Sequence, residues 1–300
     1  MTRPRLTNGR IQVLIGISLL AGLSMQVQRA IHARAGRSEP AVGLPQLASV
    51  SGAAFAALPK ERATGASLED QAARDPLAFI QMALDRYDRS VRDYTCTFSK
   101  QERIGGQLTP DQLIAVYFRE KPLSVRMEWR KNPDRVARVL YIADKWIENG
   151  QRMALVEPAS SIAQLFVSYV MRPIHGEEAR KNSRKSIDQF GLRSTMALTL
   201  KFARLSQDQH ALDFSYKGVS QVGGRPTLVF ERRLPYTGED GPWPDRVQVL
   251  HMDRELLLPV LSASYADDER QILLGRYQCT DIKLNPNLSD SVFTKEGMGF

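Results

Sequence analysis

Residues Tyr94 to Leu155 read YTCTFSKQERIGGQLTPDQLIAVYFREKPLSVRMEWRKNPDRVARVLYIADKWIENGQRMAL. The run divides into short stretches of period two, separated by Gly, Pro, Asn and Asp where turns need them, which predicts an antiparallel meander. Between Ser124 and Arg130, the side chains of Val125, Met127 and Trp129 fall on one face. Ser124, Arg126, Glu128 and Arg130 fall on the other, because successive strand side chains point oppositely. One buried face and one wet face are expected. The preceding stretch, Leu113 to Phe118, is apolar on both faces, so its second side needs a cover, either a helix or an apolar ligand. No stretch of the chain names a chemical reaction, and function has to be argued from architecture, compartment and what a concave face could hold.

With 300 residues, 43% hydrophobic and 25% charged, the chain can bury one sizeable core, and disorder throughout is excluded. The formal charge of +8 is unevenly placed: Arg3, Arg5, Arg10, Arg29 and Arg34 put +5 before residue 36 with no acid, leaving +3 for the rest. The basic balance therefore belongs to a targeting segment and gives no reason to expect a nucleic-acid partner. A basic start, an apolar run from Ile11 to Met25 and Ala33-Arg34-Ala35 as a small-x-small site predict a signal peptide over 1–35. An uncleaved anchor is the alternative, since ten residues separate Met25 from Ala35. Both readings export the remainder of the chain to the periplasm or cell envelope. There is no paired arginine for twin-arginine export and no Cys after the apolar run for lipid attachment. Two cysteines, Cys96 and Cys279, make an even count in an exported chain, and a disulfide between them is expected.

Residues 36–66 are rich in Ala, Gly, Pro and Ser without sustained period and read as a flexible linker. A single domain is expected over 67–300. Asp75-Pro76 supplies a helix cap and a first-turn proline, and Leu77, Ile80, Leu84, Tyr87 and Val91 recur at helical spacing. On the far face, Asp85 to Arg89 and Asp88 to Arg92 are spaced as supportive i,i+4 pairs. After the meander, Ile162, Leu165, Phe166, Tyr169 and Val170 share one helical stripe that Pro173 stops, and a second helical pattern spans Ser194 to Leu205. These helices interrupt an otherwise all-strand order. The helix Ile162 to Val170 and the segment Ile187 to Leu205 are expected to lie across the open side of the sheet as a lid, with Ile162, Leu165, Phe166 and Tyr169 as its apolar contacts. Segment 172–204 carries the one concentration of positive charge after the targeting segment, and a membrane surface is a candidate partner for it. Strand patterns resume at Leu212 and run to Leu284, for roughly eleven strands in all.

The order of elements, with Tyr277 to Phe293 as a closing strand and clasp containing Asn285, Asp290 and Phe293, resembles the LolA/LolB-like superfamily of periplasmic carriers. Tyr94-x-Cys96-x-Phe98, Arg119-x-Lys121-Pro122-x-Ser124-Val125 and Gly223-Gly224-Arg225-Pro226 are similar to an uncharacterised family of exported bacterial proteins within it, the domain of unknown function numbered 1571. The resemblance covers about Asp75 to Phe300. It implies an α+β fold: an antiparallel half-open β-barrel with an N-terminal helix and helices plugging its concave face. In carriers that fold shelters acyl chains, and in regulators it senses envelope lipoproteins.

His175, His210 and His251 show no HxH or HxxxH spacing and no acidic partner segment, so no metal site is expected. G-x-S-x-G, Walker A and G-x-G-x-x-G are absent, and neither an enzyme nor a cofactor is expected. Lys100 and Glu102 share a strand face with Phe98 and read as a rim ion pair before an acid/base pair. Phe118, Met127, Trp129, Phe214, Phe230 and Tyr265 form the set best able to line an apolar site, with ordinary core as the alternative role. Two readings stand: a carrier or sensor binding a lipid or lipid-modified protein through an acyl chain, and a structural or interaction module whose barrel is filled by its own side chains.

Overall fold

The computed structural model describes residues 67–160, 168–239 and 241–299. The signal peptide and linker expectations, and lid residues Ile162, Leu165 and Phe166, lie outside the described residues. The first helices are α1 (Leu68–Arg74) and α2 (Pro76–Ser90). Ser67 and Asp70 close a capping box on α1, and the Asp75 carboxylate accepts the Ala78 N–H at 2.9 Å, with Pro76 at the first helical position of α2. The strands come in the order β1 (Asp93–Ile104), β2 (Gln107–Leu108), β3 (Gln112–Arg119), β4 (Ser124–Lys131), β5 (Val136–Ile142), β6 (Ile147–Glu148), β7 (Gln151–Pro158) and β8 (Val170–Pro173). Next are α3 (Glu177–Asn182), a 3-10 turn over Ile187–Gln189 and α4 (Leu192–Asp208). The chain closes with β9 (Asp213–Val222), β10 (Arg225–Arg233), β11 (Val247–Asp253), β12 (Pro259–Tyr265), β13 (Leu273–Leu284) and two 3-10 turns, Asp290–Phe293 and Glu296–Met298.

Eleven strands form one antiparallel path, β6-β7-β5-β4-β3-β1-β13-β12-β11-β10-β9, with β2 added to β1 and β8 to β7. Among the described residues the outer strands find no further partner, so the sheet is an open half-barrel, as expected. Its two meanders meet at the centre, where β1 pairs with β13 across 190 positions of sequence at Tyr94↔Leu284. The concave face holds the main core: Phe98, Ile114, Val116, Val125, Leu250 and Ile282 pack with Phe79, Ile80 and Tyr87 of α2 and with Met196 and Leu200 of α4. Burial of this apolar surface, at about 25 cal/mol per Å², drives the docking of both helices.

The far face of α2 differs from expectation. Asp88 pairs with Arg193 of α4 at 2.7 and 3.0 Å, not with Arg92, and Asp85 accepts from Gln81 at 2.6 Å. The charges tie the two helices together where an isolated helix would pair them along its own surface. The second face of β4 also differs. Ser124 is 0% and Glu128 8% exposed, because residues 290–298 fold over the convex side of the sheet. Arg126 donates to the carbonyls of Val292 at 3.0 Å and Gly297 at 2.8 Å, and Phe293 and Met298 pack on Leu140, Ile142 and Leu155. Val170, read from its spacing as helical, begins β8, since it pairs with Val156.

Candidate functional site

Between the concave face and the segment 174–192 lies a cavity of about 430 Å³. Its wall is built by strand alternation: Phe98 of β1, Ile114 of β3, Met127 and Trp129 of β4, Val139 of β5 and Ala154 of β7 all point inward. Ile187, Phe190 and Leu192 close the side away from the sheet. The Phe190 ring meets Phe98 edge-on at 5.0 Å. Gly191, at φ 129°, makes the turn into α4: a Cβ there would stand 3.0 Å from the Phe118 ring. The Leu192 N–H then donates to Tyr94 Oη at 3.3 Å, which satisfies one exposed donor of the helix start.

One end of the cavity is polar. Alternation along β1 puts Phe98, Lys100 and Glu102 on the same inward face, so a carboxylate is carried into the wall, and Glu102 is 1% exposed. Its Oε1 accepts from Tyr277 Oη at 2.7 Å and from Ser183 Oγ and the Arg184 N–H at 3.3 Å each. Lys100 Nζ lies 3.2 Å from Oε2, an ion pair without the angle of a hydrogen bond. Burial first, and then the Glu102 charge, push the Tyr277 hydroxyl well above its ordinary range, so it stays protonated and donates. Lys185 also lines this end, its ammonium 4.6 Å from the centre of the Tyr277 ring. Desolvation lowers its pKa against the opposing pull of Glu102 and Asp245. Trp129 Nε1 is buried without an acceptor among the described residues.

Of the six aromatic and sulfur-bearing residues expected at the site, Met127 and Trp129 line the cavity. Phe118 sits behind it, stacked on Tyr94 at 4.6 Å. Phe214 and Phe230 pack with each other and with Phe79 under α2, and Tyr265 ends β12 opposite Val247, away from the cavity. Tyr169, expected in the lid, is on the convex face, where it packs on the second cluster and accepts from Lys295 Nζ at 2.7 Å. Ile187, Phe190 and Leu192, from the other segment of the expected lid, line the cavity. The expected disulfide is not formed: Cys96 and Cys279 lie on the paired strands β1 and β13, and both are free buried thiols. A bulge between Thr95 and Thr97 breaks the β1–β13 register at Cys96, so that Cys279 stands opposite Phe98 and not opposite Cys96. Lys185 and Phe190 were not singled out from sequence, because a loop and not a periodic element delivers them.

The family model described as "Protein of unknown function (DUF1571)" matches residues 91–297. The chain belongs to the DUF1571 family. Among solved structures, this DUF1571 chain is similar to a DUF1329 family protein from Desulfovibrio piger ATCC 29098, with 15% identity and a TM-score of 0.38 over 74% of this chain and 99% of that one. It is also similar to a putative outer membrane lipoprotein-sorting protein domain from Vibrio parahaemolyticus, with 12% identity and a TM-score of 0.36 over 75% and 98% of the two chains. A third likeness is to the lipoprotein LppX from Mycobacterium tuberculosis, with 11% identity and a TM-score of 0.37 over 72% and 98%. None of these values transfers a ligand or partner to the DUF1571 chain. No curated protein matches it.

Proposed function

We propose that this protein is a non-enzymatic component of the cell envelope that holds one acyl chain, of a lipid or a lipid-modified protein, in the cavity under residues 187–192. The observation that carries the reading is the void itself: about 430 Å³ bounded by Phe98, Ile114, Met127, Val139 and Phe190, within the range of small-ligand sites. A barrel filled by its own side chains would leave no such space. Each methylene taken out of water contributes roughly 0.8 kcal/mol, so about ten of them offer about 8 kcal/mol before the entropy of immobilisation is subtracted. In this reading residues 1–35 export the chain, 36–66 are a linker and 67–300 form one domain.

A membrane surface is the weaker partner. Within 172–204, Arg172 pairs with Glu178 at 3.2 Å, Lys181 with Glu177 at 2.5 Å and Arg193 with Asp88, so much of the positive charge is already answered. No helix of the described residues is long and apolar enough to cross a membrane. The test is native mass spectrometry of protein extracted from its own envelope, joined to acyl-chain titration in a form with Trp146 and Trp243 replaced by Phe. A co-purifying lipid mass and a shift in Trp129 emission are expected. Absence of both sinks the carrier reading and leaves the scaffold.

A further inference from the structure

Resting on the carrier reading, the geometry points to a ligand with a single alkyl chain and an oxyanion head, the head being received by Lys185. The chain count comes from volume. At roughly 30 Å³ per group, the share of one water in the liquid, a cavity of about 430 Å³ holds about 14 methylene-sized groups, enough for most of one sixteen-carbon chain and too little for two such chains.

The head comes from unanswered charge. The charges acting on Lys185 are those of Arg184 and Arg232 against Glu102 and Asp245, with Lys100 beside Glu102. Both acids are engaged: Glu102 by Lys100, Tyr277, Ser183 and the Arg184 N–H, and Asp245 by Arg232 at 3.0 and 3.2 Å and by Ser264 at 3.0 Å. Arg232 is thereby paired, and Arg184 lies 3.9 Å from the Glu239 carboxylate and donates to the carbonyls of Leu274 at 3.4 Å and Pro244 at 3.2 Å. Lys185 is left facing the cavity with the Tyr277 ring as its direct partner among the described residues. A charged ammonium in a largely apolar wall is costly unless an anion answers it. A carboxylate or phosphate monoester entering with its chain against Phe98 and Met127 supplies that anion.

The test uses the full-length protein, stripped of bound lipid, and four probes of one chain length below their micellar concentrations: hexadecanoate, hexadecyl phosphate, hexadecanol and hexadecyltrimethylammonium. Hexadecanoate or hexadecyl phosphate should bind about tenfold tighter than hexadecanol, the scale of one charge-assisted hydrogen bond, and the cation should bind least. Which of the two anions binds tighter separates a fatty-acid source from a phospholipid source. Lys185→Gln should remove the anion preference while hexadecanol affinity stays within about twofold, Lys185→Arg should keep most of it, and Arg135→Gln at the rim should change little. Hexadecanol binding as tightly as hexadecanoate, a preference for the cation, or loss with Arg135→Gln but not Lys185→Gln would overturn the head assignment while leaving the carrier reading intact. If no probe binds, the carrier reading falls with it. The wild-type probe series stands without the variants, should any of them fail to fold.

Discussion

Glu102 Oε1 and Tyr277 Oη meet at 2.7 Å across the pairing of the first and last long strands, and this contact places a carboxylate inside an otherwise apolar wall. Gly275 leaves the space for it. A Cβ on residue 275 would stand 2.8 Å from Tyr277 Oη and 3.1 Å from its ring.

Gly275→Ala should therefore push the Tyr277 ring off Glu102 and destabilise the fold by about 1–3 kcal/mol, the usual range for overpacking. Tyr277→Phe, which keeps the ring and removes the donor, should cost about 1–3 kcal/mol by under-satisfying a buried carboxylate. Denaturant midpoints at unchanged slope measure both. A neutral Gly275→Ala would show that the ring is free to move.

Phe293 is 1% exposed under the C-terminal turns, against Leu140, Ile142 and Leu155, and Arg119 lies 4.7 Å over its ring. Phe293→Ala should cost about 3–5 kcal/mol. It should also raise binding of a hydrophobic dye, as the convex cluster opens. Equal dye binding in variant and wild type would mean that this face is covered by other means.

His251 is partly buried in β11 beside Thr227, at 3.2 Å, and desolvation lowers its pKa. Between that lowered value and about 6.5, the ordinary value for the unfolded chain, the unfolded state binds the extra proton. The His251 contribution to stability is thus fully present above about pH 6.5 and is lost as pH falls through the window. Melting temperatures of wild type and His251→Gln should converge between pH 8 and pH 5, as the wild type alone loses this contribution. A constant difference across that range would refute the assignment.

Cys96 and Cys279 are both buried, and the neighbouring Cys279 thiol together with burial pushes the Cys96 thiol well above its ordinary range. Native protein should react slowly with thiol reagents and, once unfolded, should titrate as two thiols. Zero thiols in the unfolded protein would show that the pair is bonded.

Local elements were legible in the residues alone. Period-two alternation from Tyr94 to Leu155 marked the strands, Asp75-Pro76 marked the start of α2, and turn residues marked the breaks between them, because each is set by neighbours a few positions apart. Alternation also put Phe98, Lys100 and Glu102 on one face of β1, and Met127 with Trp129 on one face of β4, so half of the cavity wall was legible. Packing between distant segments settled which apolar residues line space and which fill it. Phe118, Phe214 and Phe230 are the same kinds of residue as a wall, but Tyr94 stacks on Phe118, Phe79 packs on Phe230 and Phe230 packs on Phe214, each from elsewhere in the chain. The fate of the polar face of β4 was likewise set by residues 290–298, more than 160 positions away, whose carbonyls satisfy Arg126. Lys185 reaches the cavity because a connection between two sheet edges has to cross the concave face, and no periodicity encodes where such a crossing sets down a side chain.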